Sequence, residues 1–149
     1  MRFVKESLIH ATPERVFAFH EQADALKLLI PPWEGSRIIE AAQISSIGSR
    51  AIVDIRALGI RMLWIAEHTA YDPPHMFEDV CVKGPFRSWR HRHIVETHHD
   101  GATLRDEIDY NPPLGFLGRC LAPLLIEPRL RKLFAYRHQV TIEWCERTE

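Results

Sequence analysis

His91 and His93 are spaced two apart in the run Phe86–Thr97. In an extended chain that spacing puts both imidazoles on one face. Imidazole is the side chain that moves a proton near neutrality, and it is also a common metal ligand. On the same parity the run carries Trp89 and Val95, with Arg87 at its entry, while Ser88, Arg90, Arg92 and Ile94 face the other way. The adjacent arginines mark that second face as the solvent side. In the preceding run Phe77, Asp79 and Cys81 alternate with Glu78, Val80 and Val82. In the following run Leu104, Asp106, Ile108 and Tyr110 alternate with the wholly polar Thr103, Arg105, Glu107 and Asp109. Three neighbouring strands would therefore bring Asp79, His91, His93 and Asp106 together on an inner face.

Four kinds of chemistry suit such a group. It can be a buried network of ion pairs and hydrogen bonds. It can orient the polar end of a small molecule whose apolar part lies against Trp64, Phe77, Trp89, Ile108, Tyr110 and Phe134. His91 or His93 can act as a general acid or base tuned by a carboxylate. Or the His-x-His pair can bind a metal with Asp79 as a third ligand. The expected cavity lining is thus Trp64, Phe77, Asp79, Trp89, His91, His93, Asp106, Ile108, Tyr110, Phe134 and Arg137. His91 and His93 are the catalytic candidates, and no metal or cofactor is assigned. His98 and His99 precede a turn and are expected to be exposed. Cys81 is expected to behave as a small apolar side chain. No phosphate loop, dinucleotide fingerprint, nucleophile elbow or His-Glu-x-x-His motif occurs.

The elements that must position these residues can be read from the same chain. Phe3–Ile9 reads as a strand. Thr12-Pro13-Glu14 is a helix start, with a capping hydroxyl, a proline at the first helical position and an acid at the positive end of the dipole. That helix is expected to end near His20, and a second, about Ala23–Ile30, is stopped by Pro31-Pro32. From Ser36 to Asn111 the pattern has period two. Ala51, Val53, Ile55 and Ala57 alternate with Ile52, Asp54, Arg56 and Leu58, and Gly59 turns into Ile60–Tyr71. Met76–Lys83, Phe86–Thr97 and Ala102–Tyr110 follow, separated by Gly84-Pro85 and by the hairpin pair Asp100-Gly101. Leu114–Pro128 reads as a loop, and within it the flexible, apolar Leu114-Gly115-Phe116-Leu117-Gly118 reads as a linker folded onto the sheet or as a gate or apolar lip for a lipid-like ligand. A last helix then carries Leu130, Leu133, Phe134, Val140 and Trp144 on one stripe, with Arg137 near its middle. A guanidinium there must snorkel or meet Asp79 and Asp106 inside.

This order predicts an α+β architecture: a curved antiparallel sheet of six or seven strands around a long C-terminal helix, with two short helices after the first strand and a cavity between sheet and helix. The 149 residues fit a single domain. A net charge of −1 gives no footprint for nucleic acid. No apolar run approaches the roughly 20 residues of a membrane span, and no signal peptide is visible. Three widely spaced cysteines without a Cys-x-x-Cys pair point to a reducing, cytoplasmic setting. A monomer and a homodimer both remain open.

The motifs Thr12-Pro13-Glu14-Arg15-Val16-Phe17, Tyr71-Asp72-Pro73-Pro74, Phe77-x-Asp79 and Gly84-Pro85-Phe86-x-x-Trp89-x-His91-x-His93 resemble the SRPBCC superfamily. That is the START and birch-pollen-allergen-like group, with its polyketide cyclase/dehydrase and coenzyme Q-binding branches. Asp106-x-Ile108-x-Tyr110 and Leu133-Phe134-x-Tyr136-Arg137 resemble its late strand and final helix. The resemblance implies a helix-grip fold that binds a small hydrophobic or amphipathic molecule between sheet and helix. The alternatives are a cyclase or dehydrase using a cavity histidine and, further off, a metal-dependent hydrolase. It carries over no universal catalytic residue. The polar cluster departs from a plain apolar sleeve and favours a ligand with a polar head.

Overall fold

A computed structural model describes residues 1–57 and 59–147; Leu58, the last residue of the alternation noted above, lies outside them. The chain runs β1 (Arg2–Ile9), α1 (Pro13–Glu21), α2 (Ala25–Leu29), a 3-10 turn (Pro32–Glu34), β2 (Arg37–Glu40), β3 (Arg50–Ala57), β4 (Ile60–Asp72), β5 (Met76–Lys83), β6 (Ser88–His98), β7 (Gly101–Asn111), α3 (Gly115–Leu125) and α4 (Glu127–Cys145). The seven strands form one antiparallel sheet in the order β1-β7-β6-β5-β4-β3-β2. This is the expected helix-grip order, with the first strand added beside the last. Register shifts at Ile65/Ala66 and His68/Ala70 interrupt the β4–β5 ladder, the kind of irregularity that bends a strand.

Local chemistry sets the boundaries. Thr12 accepts a hydrogen bond from the Arg15 amide at 3.3 Å, with Pro13 opening α1. The Asp100-Gly101 turn brings β7 against the end of β1. Gly101 has φ +144°, and a Cβ there would lie 2.2 Å from the Ile9 carbonyl oxygen, so only glycine closes this corner. On the outer face, Glu107 gathers Arg2 at 2.7 Å, Arg92 at 3.1 Å and Arg105 at 3.2 Å. This lattice explains why a carboxylate on the polar face of β7 is nonetheless buried.

Three expectations are corrected. The second helix is shorter than Ala23–Ile30, because Pro31 ends it and Pro32 begins a separate turn. Arg87 does not share the inner face with Trp89. It precedes β6, is exposed, and its amide bonds to the Asn111 carbonyl at 2.9 Å. Leu114–Pro128 is not a loop, since most of it is α3. Gly115, Gly118 and Pro123 suggest interruption, but each is accommodated. A Cβ at Gly118 would lie 1.8 Å from the Pro113 carbonyl oxygen, so this glycine lets the helix seat on the preceding turn. Pro123 removes one backbone hydrogen bond, and the carbonyl four residues earlier belongs to exposed Arg119, where water can serve it.

The buried row of α4 is Leu130, Phe134, His138, Thr141 and Cys145, with spacings of three and four. Leu133, Val140 and Trp144 flank it, half-buried. Two apolar clusters fill the grip. One joins α1 to the sheet through Phe17, Phe19, Phe77 and Leu104. The other joins α4 to Phe3, Trp89, Ile108 and Tyr110.

Candidate functional site

The register of three strands assembles the polar centre. Asp79 pairs with His91 across β5–β6, and His93 pairs with Asp106 across β6–β7. All four side chains point to the helix side, where His91, His93 and Asp106 are buried and Asp79 keeps a small exposure. Asp106 is the hub. Its Oδ1 accepts from His91 Nε2 at 2.9 Å, and its Oδ2 accepts from His138 Nε2 at 2.8 Å. His93 Nδ1 lies 2.8 Å from Oδ1, but off the line of its N–H, so that proton has no well-directed acceptor. Asp79 Oδ2 stands 3.6 Å from His91 Nδ1 and 3.7 Å from His93 Nε2, beyond hydrogen-bond distance from both.

Burial alone would raise the carboxyl pKa of Asp106, but the charge of His93 and the bonds from His138 and His91 hold it well below the usual range. Asp79 is likewise drawn down against burial by the imidazoles of His93, His91 and His68. Burial opposes charge on His93, yet Asp106 and Asp79 lift it to about 9. His91 moves the other way, lowered by burial and by the neighbouring His93. The centre therefore confines one imidazolium between two carboxylates.

Three histidines of the centre are not among the expected site residues. His138 is 2% exposed and links β7 to β1 through a hydrogen bond from the Ser7 hydroxyl to its Nδ1 at 2.8 Å. Its signal is the helical step from Phe134, four residues earlier on the same stripe. His20, on α1, donates its Nδ1 hydrogen to the Val16 carbonyl at 2.9 Å, and its ring lies 5.6 Å from that of His93. Burial, aided by His93, pushes its pKa down to about 3. His68 pairs with Asp79 across β4–β5; it is buried, its Nδ1 has no partner among the described residues, and burial lowers its pKa.

Arg137 departs from expectation. It makes no ion pair with Asp79 or Asp106; its Nε donates to the Leu29 carbonyl at 3.2 Å, and its guanidinium lies 5.1 Å over the Phe134 ring. The physical reason is its angular position, one residue to the side of the Phe134–His138 row. Burial lowers its pKa, with the two aspartates acting on it only at longer range.

The aromatic residues expected as walls divide. Phe77 stacks on His93 at 4.0 Å, and Phe134 meets His91 edge-on at 5.2 Å, so rings fill the interface at the polar centre. Further along the sheet, Trp64, Phe86, Trp89 and Tyr110 form a connected set, with centroids 4.9–6.1 Å apart between Phe86 and its neighbours and 5.1 Å between the tryptophans. An open hollow of about 460 Å³ lies at this end of β5–β7, bordered by Trp89 and Tyr110 but also by Arg87, Arg90, Asp109 and Asn111, so only two residues of the expected cavity lining border it. The Tyr110 hydroxyl is buried without a partner among the described residues. A second hollow, about 520 Å³, runs between β1 and the first turns of α4. Nearby, α3 presents Phe116, Leu117, Leu124 and Leu125 to solvent, Phe116 being 83% exposed.

Among the described residues, two groups have metal-ligand composition: the inner Asp79, His91 and His93, and an outer group of His98, His99 and Asp100. His99 is exposed as expected, and His98 is partly covered. Cys81 donates its thiol hydrogen to the Lys83 carbonyl at 3.0 Å, and burial pushes its pKa up to about 11, which fits an unreactive side chain.

An antiparallel sheet with a long C-terminal helix across it and short helices after its first strand defines the helix-grip class. The chain belongs to the polyketide cyclase/dehydrase and lipid transport family, whose sequence profile matches residues 9–134. Among solved structures it is similar to protein CV1439 from Chromobacterium violaceum, at 13% identity and a TM-score of 0.73 over 99% of both chains. It is also similar to TTHA0849 from Thermus thermophilus, at 17% identity and a TM-score of 0.72 over 96% of this chain and 98% of that one. The major latex-like protein 151 of Panax ginseng gives 15% identity and a TM-score of 0.72 over 99% and 98%. These likenesses establish the fold. No curated protein matches the chain. Among the described residues, no helix is long and apolar enough to cross a membrane.

Proposed function

We propose that the chain binds a small hydrophobic or amphipathic molecule at the aromatic end of the grip, where Trp89 and Tyr110 border the hollow and Trp64 and Phe86 back them. The observation that carries this reading is the Tyr110 hydroxyl, buried beside a hollow and unpaired in a wall of rings. A buried hydroxyl without a partner carries a desolvation penalty of about 1–3 kcal/mol, and a ligand oxygen or nitrogen would remove it. Membership of a family described by lipid transport supports an apolar guest. The exposed leucines and Phe116 of α3 supply an entry lip of the same character. The test is native mass spectrometry of the purified protein, with titration of 1-anilinonaphthalene-8-sulfonate followed by energy transfer from Trp64 and Trp89. Saturable binding weakened severalfold in Tyr110→Phe supports the site. No adduct and no saturable signal would remove it.

A cyclase or dehydrase activity is the second reading. What favours it is His91, whose Nε2 hydrogen is committed to Asp106 while its Nδ1 is left bare, the arrangement of a base oriented by a carboxylate. Turnover of a polyketide-like substrate unchanged in both His91→Ala and His93→Ala would exclude that role.

A further inference from the structure

We infer that Asp79, His91 and His93 form a binding site for a divalent transition-metal ion, with zinc the best-matched candidate. The argument begins with hydrogen placement around Asp106. His91 Nε2 is 2.9 Å from one carboxylate oxygen of Asp106 and donates to it. A neutral His91 ring then has a bare lone pair at Nδ1, and that atom is directed at Asp79 Oδ2, 3.6 Å away. On His93 the nitrogens are exchanged: Nδ1 lies 2.8 Å from Asp106 and Nε2 3.7 Å from the same Asp79 oxygen, so an ion bound there takes the place of the Nε2 proton that His93 carries as an imidazolium. Two ring nitrogens and a carboxylate oxygen thus surround one point without bonding to one another, all within 4.8 Å.

Direct hydrogen bonding would draw such atoms to about 2.7–2.9 Å. A tetrahedral ion with bonds of about 2.0–2.1 Å needs them about 3.3–3.4 Å apart. The observed 3.6 and 3.7 Å separations match the second spacing within a few tenths of an ångström. The backing is also that of a metal site. Asp106 accepts from the remote nitrogen of His91, the carboxylate–histidine–metal arrangement that fixes tautomer and ring orientation, and lies 2.8 Å from that of His93. His138 holds Asp106 from behind at 2.8 Å. Two imidazoles and one carboxylate leave at least one coordination position open, as in sites where a metal holds water or a ligand oxygen. The inference stands independently of ligand binding at the aromatic end.

The experiment is zinc and cobalt(II) titration of the metal-stripped protein, read by isothermal calorimetry, by elemental analysis after gel filtration, and by the visible bands of cobalt. It is run on His98→Ala/His99→Ala so that the outer group does not compete. One ion per chain, with cobalt bands of four- or five-coordination, is expected. Affinity should fall at least 100-fold in Asp79→Asn and in His91→Gln, and about 10- to 100-fold in Asp106→Asn. Circular dichroism identifies which variants remain folded, and Asp79→Asn, nearly isosteric and at the edge of the cluster, is the decisive one. Absence of stoichiometric metal in the His98/His99 background, or affinity unchanged in folded Asp79→Asn, overturns the proposal.

Discussion

His138 on α4 donates its Nε2 hydrogen to Asp106 Oδ2 on β7 at 2.8 Å, and this bond ties the closing helix to the centre of the sheet. Both partners are almost completely buried. Asp106 also serves His91 and His93, so replacing it with Asn removes the charge facing the imidazolium and turns one of the two accepting oxygens into a donor. Breaking a buried charged partnership from one side costs about 3–5 kcal/mol. Asp106→Asn is expected to lose that much in urea denaturation. His138→Gln, which leaves the other two imidazoles in place, should lose less, about 1–3 kcal/mol. Equal losses would show that Asp106 is not the hub.

His20 makes stability depend on acid. Its pKa is about 3 in the folded protein because burial and the nearby His93 disfavour its charge, against 6.5 for a free imidazole. A depressed folded value means that the unfolded chain binds the extra proton between these limits. Its contribution is full above pH 6.5 and declines as pH falls toward 3, at up to about 1.4 kcal/mol per pH unit. Denaturation at pH 7 and pH 5 should therefore show a smaller loss for His20→Phe than for the unsubstituted protein. An identical pH dependence would exclude the effect.

The three cysteines should separate by reactivity. Burial pushes the thiols of Cys81 and Cys145 up to about 11, so almost no thiolate forms at pH 8, and both are free rather than bridged. Cys120 is exposed on α3. Ellman's reagent at pH 8 is expected to titrate one fast thiol per native chain and three after denaturation. Loss of the fast phase in Cys120→Ser completes the assignment, and two fast thiols would contradict it.

Much of this architecture is legible in the sequence because its signals are local. The alternation along β5, β6 and β7 places Asp79, His91, His93 and Asp106 on one face, and register then needs only short hairpins to join them. The rest depends on angles and distant partners. A stripe defined by apolar residues alone selects Arg137 over His138, since a buried histidine is invisible to hydrophobic periodicity. Arg137 lies to the side and finds a backbone carbonyl. His20 and His68 enter the centre only because α1 folds over β6 and because β4 pairs with β5. The α3 helix is hidden by two glycines and a proline, residues that usually end helices. Gly118 is there for contact with Pro113, which only the folded chain reveals.

That contact and the apolar face beside it can be tested separately. Gly118→Ala places a Cβ against backbone rather than against a movable side chain. An overpacking cost of about 1–3 kcal/mol outweighs the gain of up to about 1 kcal/mol from replacing glycine in a helix. The variant should melt at lower temperature and lose hydrogen-exchange protection first in α3. Phe116→Ser and Leu124→Ser act oppositely, because these side chains are exposed at 83% and 75%. Their stability should stay within about 0.5 kcal/mol of the parent, with higher solubility. If α3 is the lip of the ligand site, both substitutions also weaken binding of 1-anilinonaphthalene-8-sulfonate severalfold while leaving zinc affinity unchanged. Unaltered dye binding in the double variant would detach α3 from ligand entry.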